Sequence, residues 1–173
     1  MLSESKSEIE QAVTTSLIIS PIALGRAVKH FCHSDASFEI LQSTSGKARH
    51  CGWSDGGCWI LAAAIQQRWG GELYALSRTG SDTQHVVVRL GRVFIDQDGP
   101  ASSIALIRRF ERWEGFFTGS LRLVPFSAIR KGDIPEPEKQ VEIIAGICSH
   151  FPSPYPPLPR STASMRDSHQ GPS

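Results

Sequence analysis

The sequence has little of what marks membrane-bound, secreted or nucleic-acid-binding chains. Its apolar stretch at residues 16–24 is too short to span a bilayer and contains Pro21. The same stretch lacks the basic flank and small-residue cleavage site of a secretory signal. The formal net charge of the 173 residues is only +1, which favours neither nucleic acid nor an anionic membrane as a partner. We therefore expect a cytoplasmic protein without a nucleic-acid or membrane partner.

Cysteine is sparse, and the chain has neither a CxxC pair nor an internal repeat. In a chain of this size without a secretory signal, free thiols are favoured over a disulfide framework. This prediction applies to all four cysteines, which are Cys32, Cys51, Cys58 and Cys148.

The composition indicates one globular domain, because 40% of the residues are hydrophobic and 20% are charged. We expect a flexible N-terminus over residues 1–14 and a folded domain over residues 15–151. Residues 152–173 are rich in proline and serine and predict a disordered tail.

The order of helical and strand patterns predicts an α+β fold with an antiparallel sheet rather than alternating parallel strands. Helices are expected at about residues 20–33, 58–69, 102–113 and 136–151, and strands at 72–77, within 84–96 and at 121–124. Residues 38–41 fit either a short strand or a helical turn. The helix at 58–69 is apolar almost all round, so it should be buried on most sides, and Ser54 or Asp55 could cap it.

Residues 84–96 predict a β-hairpin that joins a histidine to a carboxylate. With Leu90 and Gly91 as the two-residue loop, His85 lies directly across from Asp96. Cross-strand Cβ atoms lie roughly 4.5–5.5 Å apart, so an imidazole N–H could reach the carboxylate. Such a pair fixes the histidine tautomer and stabilises the imidazolium.

Cys58 follows two glycines and opens the apolar helix. A thiol in the first helical turn feels the positive end of the helix dipole, which stabilises the thiolate. Gly56 and Gly57 permit a tight turn and the close approach of a substrate backbone. The backbone N–H of Cys58 is placed to bind an oxyanion. Thiol, base and orienting carboxylate are the parts of an activated nucleophile.

The run Gly56-Gly57-Cys58-Trp59 resembles the Gly-[Ser/Gly]-Cys-Trp that opens the central helix of papain-like cysteine proteases. The order of cysteine, histidine and carboxylate is also similar to that of transglutaminase-like and NlpC/P60-like proteins. This resemblance covers about residues 50–100. It implies a papain-like α+β fold, in which a central buried helix carries the cysteine and packs on an antiparallel sheet. It also implies a catalytic triad of Cys58, His85 and Asp96.

The chain departs from the papain pattern at the oxyanion donor. Papain-like proteases carry a glutamine six residues before the cysteine, and Gly52 occupies that position here. The remaining candidates are the Trp53 indole N–H, the His50 ring, Gln84 and a loop N–H. We expect substrate-binding or oxyanion roles for Trp53, Gly57 and Gln84. The third member, Asp96, matches transglutaminases rather than papain, which has asparagine.

These features favour a cysteine peptidase, isopeptidase or amidase that acts on a peptide or protein substrate without a cofactor. The same triad would serve a transglutaminase-like or other acyltransferase if an amine rather than water resolves the thioester. A non-catalytic binding or inhibitor protein on the same scaffold is a further alternative. So is an effector delivered into another cell without a classical signal peptide.

Three other interpretations compete with the triad. His50, Cys51, Cys58 and His85 could hold zinc, although the two cysteines are farther apart than zinc-binding pairs usually are, so we expect no metal. His85 could be a structural histidine bonded to Asp96. Asp98 could replace Asp96, but Asp98-Gly99-Pro100 is more typical of a turn.

The helix at 102–113 shows an apolar stripe and a charged face. The stripe predicts burial of Ile104, Ile107, Phe110 and Trp113. The remaining charged positions predict a solvated face formed by Arg108, Arg109, Glu111 and Arg112.

Overall fold

A computed structural model describes residues 19–43, 52–54, 56–128 and 137–151. These residues form five α-helices and one five-stranded sheet, so the predicted α+β class is confirmed. The helices are α1 (Pro21–Cys32), α2 (Asp35–Gln42), α3 (Cys58–Trp69), α4 (Ser103–Trp113) and α5 (Pro137–Ser149). The strands are β1 (Glu72–Ser77), β2 (His85–Leu90), β3 (Val93–Asp96), β4 (Gly99–Ala101) and β5 (Arg122–Pro125).

The sheet has the strand order β4-β3-β2-β1-β5, and every neighbouring pair is antiparallel. The edge strand β4 was not predicted, because its three residues include a glycine and a proline, which weaken any strand pattern. Pro100 is tolerated there since an edge strand needs fewer ladder hydrogen bonds. Gly99 has a φ of 96°, a conformation that favours glycine.

Local signals at Ser34 explain the one ambiguous prediction. Residues 38–41 belong to α2, so the helical alternative is correct. The Ser34 side chain accepts a hydrogen bond from the Ser37 backbone N–H and thereby caps α2. The same hydroxyl donates to the carbonyl of Phe31 near the end of α1, so one residue ends one helix and starts the next.

The hairpin forms as predicted, but its register is shifted by two residues. Leu90 pairs with Val93 and Val88 with Ile95, so the two turn residues are Gly91 and Arg92 rather than Leu90 and Gly91. Gly91 has a φ of 61°, as the first position of such a tight turn requires. Leu90 stays in the strand because its side chain packs against the large apolar core.

Both faces of the sheet are covered by helices. On one face, Val86, Val88 and Ile95 join a large apolar cluster with residues from α1, α3 and α5. On the other face, Val87 and Phe94 join a small cluster that α4 covers. The large cluster includes Leu24, Val28, Phe31, Leu61, Ile65, Ile143 and Ile147, and the small one includes Leu76, Leu106, Phe110 and Leu121.

Helix α4 meets the sheet through a narrower face than the sequence predicted. Leu106 and Phe110, four residues apart, are buried, whereas Ile104 and Trp113 are 62% and 56% exposed. A spacing of three residues drifts round a helix by about 60° per step, so the ends of the predicted stripe leave the contact face. The predicted solvated face is also wrong at Glu111, which is buried and accepts hydrogen bonds from the N–H groups of Gly119 and Leu121.

Two simpler expectations can be checked on the same residues. The described cysteines, Cys32, Cys58 and Cys148, are free thiols as predicted, and Cys51 lies outside the described residues. Within those residues, no helix combines the length and the apolar character needed to cross a membrane. The predicted flexible N-terminus and the predicted disordered tail lie outside the described residues. Phe151, the last residue of the predicted domain, packs on Trp69.

Candidate functional site

Cys58 is the first residue of α3, whose N-terminus has no side-chain cap. Gly57 occupies the capping position, so Ser54 does not cap the helix, and Asp55 lies outside the described residues. The Gly57 N–H donates to the carbonyl of Gly52 at 3.2 Å, which closes the loop before the helix. Without a capping side chain, the positive end of the helix dipole acts directly on the Cys58 thiol.

Gly57 is closely packed by the residues around it. A Cβ atom at this position would lie 2.8 Å from the Leu41 side chain and 3.1 Å from both the Gly52 carbonyl and Trp53 Cα. The φ of Gly57 is −73°, so only space demands glycine there. Gly56 differs, because its φ of 95° favours glycine by conformation. Gly57 therefore shapes the loop that presents Cys58.

His85 opens β2 and is completely buried. Its Nε2 lies 3.3 Å from Oδ2 of Asp96, and its ring stacks on Phe110 with centroids 4.9 Å apart. Nδ1 is buried and has no nitrogen or oxygen atom of a described residue as a hydrogen-bond partner. With Nε2 turned towards Asp96, Nδ1 is the ring nitrogen left for a second partner. The Cys58 thiol lies close enough for the imidazole to change its pKa.

The thiol and the imidazole shift each other's titration. Burial raises the pKa of Cys58, but the hydrogen bond and charge of His85 and backbone hydrogen bonds from Val86 and Gly56 outweigh it, so the pKa falls below its usual value. Burial lowers the pKa of His85, but Asp96 and Cys58 outweigh it and raise that pKa to about 9. Both shifts favour the pair of thiolate and imidazolium over the pair of neutral thiol and imidazole.

Asp96 has two hydrogen-bond partners besides His85. Arg109 Nη2 lies 2.6 Å and 2.5 Å from its two carboxylate oxygens, and the Asp98 N–H donates to Oδ1 at 3.0 Å. Burial raises the pKa of Asp96, but His85 and Arg109 outweigh it, so the carboxyl pKa lies below its usual range. The prediction that Arg109 belongs to a solvated face is therefore wrong.

Asp98 supports Asp96 rather than replacing it. Its carboxylate lies 3.5 Å from Arg109 Nε, and its backbone N–H binds Asp96, whereas the His85 ring contacts Asp96 alone of the two. Asp98 also sits in the turn between β3 and β4, as the sequence indicated.

Two of the predicted oxyanion donors make a side-chain hydrogen bond to another residue. The Trp53 indole N–H donates to Ser37 Oγ at 3.4 Å. Trp53 instead lines a cavity of about 390 Å³ together with Leu41. Gln84 Nε2 donates to Asp82 at 2.7 Å. His50 lies outside the described residues. The first-turn backbone N–H groups of α3, which have no intrahelical acceptor, are further candidate donors.

The zinc alternative is not supported by the described part of the chain. Among those residues, no group of three or more histidine, cysteine, aspartate or glutamate side chains could hold a metal ion. Two of the four ligands of that alternative, His50 and Cys51, lie outside the described residues.

The contacts of α4 with the site could not be predicted from the sequence. Arg109 and Phe110 reach Asp96 and His85 only because α4 packs across the second face of the sheet. The one available signal is the acidic pair Asp96 and Asp98, because two nearby carboxylates favour a cation as a partner. The sequence between residues 84 and 151 offers many arginines and nothing that selects Arg109.

No family model matches this chain, and no match was found among the curated proteins or the solved structures.

Proposed function

We propose that the protein is a thiol-dependent acyl-transfer enzyme of papain-like type, with Cys58 as nucleophile, His85 as base and Asp96 as the residue that orients His85. The observation that carries this proposal is the place of His85, which binds Asp96 through Nε2 and lowers the pKa of Cys58. A buried thiol ordinarily has a raised pKa, so a lowered one indicates activation. The start of α3 adds a dipole that favours the thiolate.

The chemistry follows from these three side chains. The Cys58 thiolate attacks a carbonyl carbon, and the negative charge that develops on the oxygen is stabilised by N–H groups at the start of α3. Imidazolium His85 gives its proton to the leaving amine, and the acyl group stays on Cys58 as a thioester. Neutral His85 then takes a proton from water or from an acceptor amine, which attacks the thioester and regenerates the thiol.

We favour hydrolysis of a peptide, isopeptide or amide bond, because water is the acceptor that needs no further binding site. A transglutaminase-like or acyltransferase outcome uses the same residues with an amine in place of water. The substrate is a peptide or protein, and the mechanism uses no cofactor.

A second candidate function is supported by the low exposure of the thiol. Cys58 is only 7% exposed and His85 is fully buried, which restricts access for a bulky substrate. A non-catalytic binding protein on the same scaffold would keep the residues as a structural network. The two candidates differ in the reactivity of Cys58.

The test is the rate of alkylation by iodoacetamide at each cysteine, resolved by mass spectrometry from pH 4 to 10. We expect Cys58 to react faster than Cys32 at neutral pH, because burial and the nearby Asp96 and Asp98 charges raise the pKa of the Cys32 thiol. Cys148 is exposed and serves as the internal reference for a solvent-accessible thiol. In His85→Ala, the alkylation rate of Cys58 should fall by at least about tenfold at pH 7. This is the change expected if the thiol pKa rises by about one unit.

Acyl transfer itself is measured with p-nitrophenyl acetate, by the release of nitrophenol and by acetylation of Cys58 in the intact protein. Cys58→Ser should abolish the acetylated species, and Cys148→Ser should leave it unchanged. A Cys58 that alkylates no faster than Cys148, with or without His85, would overturn the catalytic proposal and support the binding protein.

A further inference from the structure

We infer that Arg109 is a positioning residue of the site, which holds the Asp96 carboxylate in its His85-binding orientation and keeps it charged. This inference rests on the proposed function and adds a fourth residue, from a helix that carries none of the other three.

The contacts of Arg109 with Asp96 are shorter than those of the histidine. Arg109 Nη2 lies 2.5 Å from Oδ2 of Asp96, the same oxygen that lies 3.3 Å from His85 Nε2. Asp96 is 3% exposed, so its carboxylate depends on protein partners instead of water. Because Oδ2 contacts both Arg109 and His85, a rotation of the Asp96 carboxylate away from one of them would weaken its contact with the other.

The orientation of Arg109 is in turn fixed by Asp98. Arg109 Nε lies 3.5 Å from the Asp98 carboxylate while its Nη2 spans both oxygens of Asp96. A planar guanidinium that touches two carboxylates has little rotational freedom. The Asp98 N–H also donates directly to Asp96. The Asp96 carboxylate is therefore bound both by the turn between β3 and β4 and by helix α4.

The charged and titratable groups around Asp96 come from four elements. Imidazole His85 is on β2, guanidinium Arg109 is on α4, carboxylate Asp98 is in the turn after β3, and thiol Cys32, which feels the charge of Asp96, is on α1. The stem of Lys29, also on α1, lies against Gly99 beside that turn. Of these, Arg109 is the one cation in direct contact that never loses its charge near neutral pH.

Loss of the Arg109 charge should therefore make the site sensitive to acid. Without that charge the Asp96 carboxyl would protonate at a higher pH, and a protonated Asp96 no longer stabilises imidazolium His85. With less imidazolium beside it, the Cys58 thiolate is stabilised less, so the acid limb of Cys58 reactivity moves to higher pH.

The experiment compares Arg109→Gln and Arg109→Lys with Arg108→Gln and Arg112→Gln in the full chain. Arg108 and Arg112 lie on the same helix and are exposed, so they are matched controls for removing one positive charge from α4. Two readouts are measured. The first is the NMR titration of the Asp96 carboxyl carbon, and the second is the pH profile of Cys58 alkylation by iodoacetamide.

In Arg109→Gln we expect the Asp96 midpoint and the acid limb of Cys58 alkylation to rise by about 1–2 pH units, within the range for a carboxylate beside an arginine. Both controls should match the wild type. Arg109→Lys keeps the charge and loses the two-carboxylate geometry, so Asp96 should titrate near the wild-type midpoint while Cys58 alkylation slows severalfold.

An unchanged Asp96 midpoint in folded Arg109→Gln would overturn the inference, because a merely structural Arg109 would lower the melting temperature without moving either profile. If Arg109→Gln does not fold, Arg109→Lys decides, and wild-type alkylation in that variant also overturns the inference. An inert wild-type Cys58 defeats the proposed function and is recognised separately, since the Asp96 titration needs no thiol chemistry.

Discussion

His85 and Asp96 are diagonal neighbours on β2 and β3, not direct cross-strand partners. The pairing of Val88 with Ile95 places Asp96 opposite Val87, two residues along from His85. The two side chains nevertheless lie on one face and meet at 3.3 Å, because a ring can span the diagonal. The offset leaves Asp96 room for a second cation, Arg109.

Asp96→Asn keeps the shape of this side chain and removes its charge. Arg109 and imidazolium His85 then lose their shared counter-ion, and we expect the free energy of unfolding to fall by about 2 kcal/mol at pH 7. This is less than a fully buried pair would lose, because Arg109 is 32% exposed. The measurement is urea unfolding, with Asp35→Asn, a change at an ordinary first-turn position of α2, as the control.

The same variant predicts a pH dependence with a definite sign. The pKa of Asp96 is lowered in the folded state, so its ionisation stabilises the fold above the unfolded carboxyl pKa of about 3.9. That contribution is lost as the pH falls through the folded pKa. The stability difference between wild type and Asp96→Asn should therefore shrink below about pH 4. The part that comes from His85 is complete below its unfolded pKa of about 6.5 and is lost as the pH rises through about 9. A difference that grows in acid contradicts this assignment.

Gly57→Ala tests the packing behind the nucleophile. The new methyl group would enter contacts of 2.8–3.1 Å with Leu41, Gly52 and Trp53, so we expect a loss of about 1–3 kcal/mol in stability and slower Cys58 alkylation. Gly52→Ala is the matched control, because a Cβ there meets only Ser54 Oγ, at 3.7 Å. Equal effects of the two substitutions would show that close packing at Gly57 is unimportant.

Phe110→Leu tests the stacking that fixes the imidazole ring. Leucine retains much of the apolar volume but not the flat surface that lies 4.9 Å from the His85 ring. We expect a stability loss of roughly 1 kcal/mol and a severalfold slower alkylation of Cys58, because the ring gains rotational freedom. Trp113→Leu, at an exposed position that contacts Phe110, should leave the alkylation rate unchanged.

Glu111→Ala tests the segment that follows α4. One carboxylate oxygen accepts hydrogen bonds from Gly119 at 2.8 Å and Leu121 at 3.1 Å, so alanine leaves two donors without a partner. We expect a loss of about 2 kcal/mol, and about half of that for Glu111→Gln, which keeps an acceptor oxygen. Glu114→Ala, an exposed change three residues on, should be neutral in thermal unfolding.

The hairpin illustrates how far the sequence determines the candidate site. Alternation of apolar residues assigned Val86 and Val88 to one face and His85 to the other, and the structure confirms both faces. The turn position was wrong by one residue at Leu90, which shifted the pairing by two and so left every side chain on its predicted face. Facing is set by the period of the strand, whereas register depends on how Leu90 packs against the core.

Contacts between distant elements could not be predicted in the same way. Helix α4 was placed correctly along the chain, yet Arg109 was assigned to solvent and Trp113 to the core. The angle at which a helix lies on a sheet follows from the whole core, and one sequence does not reveal it. The start of α3 at Cys58 was predicted because glycines and an apolar run are local signals.

The two apolar clusters have a consequence for how the protein would lose function. Cys58 belongs to the large cluster on one side of the sheet, while His85 stacks on Phe110 of the small cluster on the other. Cys58 and His85 meet at the start of β2, and this contact requires both apolar clusters to stay packed against the sheet. Local opening of α4 costs less free energy than global unfolding. Mild denaturant should therefore slow the alkylation of Cys58 before the large cluster unfolds. The alkylation rate of Cys58 would then report whether the small cluster is still packed.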